Sequence, residues 1–334
     1  MFELFAFALL PLVAGFNSSC PCWFGMWLSR NGLGNRVAET ASGLAMADEL
    51  GCQYLFDREG FVRDSVHGSY DEALRFLNID AGLPTYDDIK SQVKAEVKLH
   101  EWPWRAQEAQ CGTLFVALHT QICRLKDNYY TTWCTKMTDY NLVKQRFREQ
   151  FYRVPQALAL RPGRALSVAW HLRVGDIAPD RGNHEFYTGV FGELSQLTAQ
   201  HGVPMNVHIV FNSDAARDED VRLPPDDAFM DRIVCRHGAT CVLHGRETAV
   251  ESLRLMMSTD VLVTSRSSFP YVAALYSQNI VLFETPKENC DVCYYTSESF
   301  RVDIRGRIFA LAEFRARMAM LFRSARFAAP SQLA

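Results

Sequence analysis

Apolar and polar positions divide the chain into two regular stretches with a less regular one between them. Trp23 to Leu28 is a short apolar run, and over Asn35 to Leu50 the residues Val37, Ala41, Leu44, Ala45 and Met46 recur at roughly helical spacing, with Gly51 as a C-cap. "QYLFD" follows as a second strand, so this stretch predicts a βαβ unit. From about Asp57 to Gln156 the chain is rich in Trp, Tyr and charge; it carries helical patterns such as "TDYNLVKQRFREQFYRV" and no clean strand series. From about Arg164 the strands "LSVAWHL", "VHIVF", "CVLH", "DVLVT" and "NIVLF" alternate with helices near Tyr187 to Gln200, near Asp226 to Arg236, over "TAVESLRLMM" and from Tyr271. Nearly all-apolar strands separated by amphipathic helices predict a parallel doubly wound sheet covered on both faces. Such sheets bind ligands beyond the carboxyl ends of their strands, where the polar residues here collect. The terminal "RIFALAEFRARMAMLFRSARF" predicts a closing helix with a solvated arginine face, a membrane-surface or partner-binding helix being the alternative. The expected fold class is α/β with two Rossmann-like domains, residues 19–160 and 161–320, behind an apolar segment at 1–18.

Composition narrows the function classes. The 334 residues are 48% hydrophobic, enough for real cores, and 35 basic against 38 acidic residues leave a net charge of −3. That balance gives no reason to expect nucleic acid as a partner, and any polyanion site must be local. "MFELFAFALLPLVAGF" has signal-peptide length and falls short of the ~20 residues of a spanning helix. Glu3 and the lack of an early Lys or Arg depart from the usual basic start. The segment is therefore either a secretory signal or membrane anchor, which places the protein in the ER or Golgi lumen, or a buried first strand of a cytoplasmic protein. Ten cysteines and the acceptor triplet Asn17-Ser18-Ser19 lean toward the lumen. Cys20/Cys22, Cys235/Cys241 and Cys290/Cys293 are close pairs that suit disulfides there and buried thiols in the cytosol. A zinc site ranks last, since only one CxxC is present.

Three clusters at strand ends carry candidate chemistry. In "HLRVGD", strand alternation puts His171 and Arg173 on one face, and Gly175 permits the turn. Arginine's planar fork can grip a phosphate pair; pairing with Asp176 at the strand end is the plainer alternative. In "STDVLVTSRSSFPYVAALYS", a buried strand ends at Thr264. Ser265, Ser267 and Ser268 turn into a helix, giving amides and hydroxyls to an anion or simply an N-cap. In "HIVFNSD", Asn212, Ser213 and Asp214 suit a base or ribose, or an Asx turn. Upstream, "SRNGLGNRVAE" has the look of a dinucleotide-binding loop. The third glycine of that fingerprint falls at Val37, however, and Asp57 is the only acid near the end of the next strand.

Taken in order, "GLGNR", "HLRVGD", "HIVFNSD" and "DVLVTSRSSFPYVAALYS" resemble the motif series of the fucosyltransferase superfamily that makes α1,2, α1,6 and protein O-linked fucose, over about Trp23 to Phe283. The resemblance implies a GT-B-like architecture, an acceptor-side first domain, a second domain that holds GDP-fucose, and inverting transfer without a metal or other cofactor. It implies that Arg173 holds the pyrophosphate with Ser267 and Ser268 nearby, and that His171, Asn212, Asp214, Asp260, Ser265 and Phe269 belong to the donor site. Asn35 matches the asparagine of the glycine loop, with Gly32, Gly34 and Arg36 lining the cleft. Val174 stands where core α1,6 enzymes carry a second arginine, which favours the protein O-fucosyltransferase pattern.

The chemistry of the residues fits a metal-free site. A preorganised arginine and helix-end amides stabilise the charge that grows on a departing β-phosphate, and no DxD pair is placed for a metal. Asp176, Asp180 and Glu185 are the candidate general bases. The expected partners are a nucleotide sugar and a glycan or glycoprotein acceptor. The alternatives are a GT-B transferase for another nucleotide sugar, a non-catalytic sugar-binding protein, and a NAD-dependent oxidoreductase.

Overall fold

The computed structural model describes residues 21–28, 32–63, 70–99, 111–118, 140–153, 163–172, 184–211, 238–265, 267–284, 299–324 and 326–327. The first unit runs β1 (Trp23–Trp27), α1 (Leu33–Glu49), β2 (Gln53–Leu55), α2 (Arg58–Val62), α3 (Asp71–Leu77), α4 (Tyr86–Ile89), β3 (Ala95–Leu99) and β4 (Thr113–Leu118). Its parallel sheet has the order β2-β1-β4-β3. The expected βαβ unit is its first half. The other half lies in the stretch that predicts no strand series, so that expectation is corrected: "TLFVAL" is β4, and the charged "AEVKL" is the exposed edge strand β3.

A helix α5 (Tyr140–Arg153) precedes the second unit, which runs β5 (Leu166–His171), α6 (His184–His201), β6 (Met205–Val210), β7 (Thr240–His244), α7 (Ala249–Met257), β8 (Val261–Val263), α8 (Ser268–Tyr276), β9 (Ile280–Glu284), β10 (Ser299–Val302) and α9 (Leu311–Phe322). Its parallel sheet has the order β10-β9-β8-β5-β6-β7. Relabelled in order within the unit, this is the doubly wound 3-2-1-4-5-6 arrangement, whose direction of winding reverses between β5 and β8. The sheet gains one strand over the five expected, the short β10. The helix expected near Asp226 to Arg236 lies outside the described residues.

Strand alternation assigns the two faces of the second sheet. Val168, Trp170, Val261, Val263 and Leu282 pack with Phe186, Phe191, Phe314 and Met318 of α6 and α9. Phe314, Met318 and Phe322 bury the inner face of α9, while Arg315 on its outer face forms a two-pronged ion pair with Glu193, 2.7 and 3.0 Å. Ala169, Leu262 and Val281 on the other face join α7 and α8 in a core that also takes in Phe24 and Met26 of β1, Phe115 of β4 and the buried face of α1. One hydrophobic core therefore spans both sheets. Helix α5 closes its seam: Phe147 stacks on Tyr276, ring centroids 5.4 Å apart and 4° from parallel, and Phe151 meets Tyr276 and Phe76 edge-on.

Cys22 is bonded to Cys52, not to Cys20, because parallel pairing sets the starts of β1 and β2 side by side. Cys111 and Cys241 are also held in disulfides. Among the described residues no helix is long and apolar enough to cross a membrane.

Candidate functional site

The switch point of the second sheet lies between β5 and β8, which are hydrogen-bonded neighbours. β5 ends on His171, and two residues beyond the end of β8 stands Ser265. Both side chains are buried, and the His171 Nδ1 and Ser265 Oγ lie 2.7 Å apart, joined by a hydrogen bond across the point where the winding reverses. Burial raises the worth of this bond, since water is not at hand to replace it.

The chain then turns into α8. The Ser267 amide donates to the Ser265 carbonyl at 2.8 Å, and the Ser267 hydroxyl accepts from the Phe269 amide at 3.3 Å as an N-cap. The capping reading of this serine therefore holds in the structure. Ser268 is the first residue of the helix, and the Phe269 ring packs 5.9 Å from that of His171. The rest of α8 from Pro270 to Tyr276 is buried, so its axis and hence its positive end are fixed by the core.

The glycine loop arrives from the first unit. Gly32 is the N-cap residue of α1 and makes no side-chain cap, while its carbonyl accepts from the Asn35 amide at 3.0 Å. Gly34 lies so close to α8 that a Cβ there would overlap the Ser268 carbonyl and come within 2.6 Å of the Phe269 nitrogen. The first turns of α1 and α8 are therefore in backbone contact, and neither contains an acidic residue. Two positive helix ends converge beside the His171–Ser265 pair, which favours an anion there. Half-buried Asn35 sits on the same first turn. Glu185 is exposed in the first turn of α6, which covers the opposite face of the sheet.

Two expected site residues have other tasks. Asp260 is at the amino end of β8, where its carboxylate accepts from the Ser167 amide at 2.9 Å and from the Arg326 guanidinium at 2.5 Å. Arg326 also donates to the carbonyls of Gly163 and Ala165, 2.9 and 3.1 Å, so Asp260 fastens the C-terminal segment to the edge of the sheet away from His171. It is a structural anchor and not a donor-site residue. Arg36 does not line a cleft either, for it is fully buried. Its guanidinium donates to the carbonyls of Phe61 at 2.6 Å and Arg63 at 2.7 Å and lies 4.9 Å from the Tyr70 ring centroid. Burial draws its pKa below the ordinary arginine range, opposed by Tyr70, Glu39 and Asp57.

Asp57, the acid that a dinucleotide site would need, is likewise engaged: it caps α2 through the Gly60 amide at 2.8 Å and holds the Leu28 amide at 3.3 Å. Arg173, Asp176, Asp180, Asn212, Ser213 and Asp214 lie outside the described residues. The contact between the two first turns was missed in the sequence, and the pair of glycines at 32 and 34 is its only sequence trace. Among the described residues no three His, Cys, Asp or Glu side chains group as metal ligands.

No family model matches the chain, and no curated protein matches it. Solved structures do match. Arabidopsis thaliana FUT1, solved as a point mutant with GDP, is 16% identical, with 82% of this chain and 73% of that one covered and a TM-score of 0.41. The E. coli heptosyltransferase WaaC, solved with ADP, is 12% identical, with 89% and 99% covered and a TM-score of 0.44. POFUT1, solved with GDP, is 12% identical, with 80% and 99% covered and a TM-score of 0.39. At these identities and scores the likeness carries no functional argument, and the function is read from the chain's own residues.

Proposed function

We propose that this protein is an inverting, metal-independent glycosyltransferase of GT-B type that moves fucose from GDP-fucose to a hydroxyl of a glycan or protein. The observation that carries the reading is the meeting of the α1 and α8 first turns beside the His171–Ser265 pair at the switch point. Two unopposed helix ends supply the positive potential that a pyrophosphate needs, and the motifs "HLRVGD" and "SRSSF" supply the side chains. In this reading the second unit holds the donor and the first faces the acceptor.

Departure of GDP from the anomeric carbon leaves charge on the β-phosphate. Arg173 and the α8 amides stabilise that charge as it grows, which speeds the step because the interaction strengthens toward the transition state. A carboxylate, Asp176 or Asp180, accepts the acceptor proton as the new glycosidic bond forms, and Asn35 orients the reacting sugars. The Cys22–Cys52 disulfide supports a site of action in the secretory lumen, where such bonds persist.

Purified full-length protein incubated with a panel of nucleotide sugars and with glycan and peptide acceptors tests this. GDP release coupled to fucose transfer is the expected result. Arg173→Ala should lower turnover by about 10²–10³-fold, as for other lost charge-stabilising donors. Turnover with a different nucleotide sugar alone sinks the fucose assignment, and near-wild-type turnover by the variant removes Arg173 from the chemistry.

A further inference from the structure

Arg36 follows Asn35 directly and is one of the largest fully buried side chains in the molecule. A charged group so placed must be compensated, and the compensation is specific. One nitrogen, Nη1, donates to two backbone carbonyls, Phe61 at 2.6 Å and Arg63 at 2.7 Å, and the guanidinium carbon lies over the Tyr70 ring, 4.9 Å from its centroid. These contacts span the end of α2 and the start of α3, so a single side chain ties the first turn of α1 to the segment behind it.

The same turn is held in front by Gly34 against the backbone of Ser268 and Phe269. It has no side-chain N-cap of its own, since Gly32 provides none. Its position is set by the buried Leu33 and Val37, by the contact with α8 on one side and by Arg36 on the other, and Asn35 sits between Gly34 and Arg36. We infer that Arg36 is a positioning residue for glycosyl transfer, which sets Asn35 and the α1 amides against the donor-side helix without touching substrate. This inference rests on the transferase reading above.

A lysine at 36 keeps the charge, but its ammonium ends one bond short of the position of Nη1 and presents no planar group to the tyrosine ring. Displacing a reacting group by about 1 Å costs up to ~10²-fold in rate, so Arg36→Lys is expected to lower kcat by about 10- to 100-fold. The KM for the donor, and GDP affinity by calorimetry, should change by a smaller factor than kcat, because Arg173 and the α8 amides are untouched and only the α1 end shifts. Melting curves and circular dichroism establish that the variant folds. A kcat within twofold of wild type overturns the inference, and so does a loss that appears wholly as weaker GDP binding.

Should Arg36→Lys fail to fold, Tyr70→Leu carries the test, since it removes the ring contact and leaves both carbonyls in place. Lowered kcat at unchanged GDP affinity supports the inference, and unchanged kcat overturns it. Wild-type protein that transfers from no nucleotide sugar would instead refute the transferase reading itself, an outcome distinct from an active wild type matched by an equally active variant.

Discussion

A methyl group added at position 34 has nowhere to go, because the atoms it meets are backbone atoms of Ser268 and Phe269 and not the end of a flexible side chain. Gly34→Ala must therefore push α1 away from α8, at a cost of about 1–3 kcal/mol for overpacking. It should also reduce nucleotide-sugar turnover by tenfold or more, because the two helix ends no longer converge. Gly51→Ala is the control, with φ at +64° and nothing within 4 Å of the added carbon. It should cost about 1 kcal/mol from backbone strain alone and leave turnover unchanged. Thermal melts and a GDP-release assay on both variants check the pair, and equal activity losses would remove the α1–α8 contact from the site. Position in a motif does not predict this division of labour. Asp260 and Ser265 share one motif, yet the strand between them carries one to the amino edge and the other to the carboxyl edge of the sheet. Arg36 reads as a polar loop residue because burial by α2 and α3 is invisible in the local pattern.

Elements whose residues are buried on both faces were readable as apolar runs, and β5, β6, β8 and β9 fall where the periodicity puts them. β3 was not, because an exposed edge strand carries Glu96 and Lys98, and such charges deter edge-to-edge pairing while erasing the apolar signal. β10 failed for a related reason, since only Phe300 and Val302 of its four residues are buried. The Cys22–Cys52 bond belongs to the same scale: the sequence separation of 30 gives no hint of it, whereas parallel pairing of β1 with β2 makes it. Closing a loop of that length is worth about 3–4 kcal/mol in the chain-entropy account. A Cys22→Ala, Cys52→Ala double variant should lose about that much stability in a urea titration, with the slope on denaturant rising as its unfolded chain becomes less compact. A loss below about 1 kcal/mol would mean that strand pairing alone holds β1 to β2.

Two Rossmann-like units joined only by a linker would unfold separately, but here one core takes residues from both sheets. Phe24 and Phe115 of the first unit share it with Leu262 and Val281 of the second, and α1 packs on α8. Helix α5 adds Phe147, fully buried and stacked on Tyr276, to that seam. Removing this ring leaves a cavity that touches both units, and a Phe→Ala change at such a site typically costs about 3–5 kcal/mol. Scanning calorimetry of wild-type protein should therefore give one cooperative transition, and Phe147→Ala should move that whole transition to lower temperature without splitting it. Two resolved transitions, with only one displaced by the substitution, would show that the units fold independently. The α1–α8 contact would then be a docked interface free to open, and the convergence of helix ends that the proposed chemistry needs would hold for only part of the population.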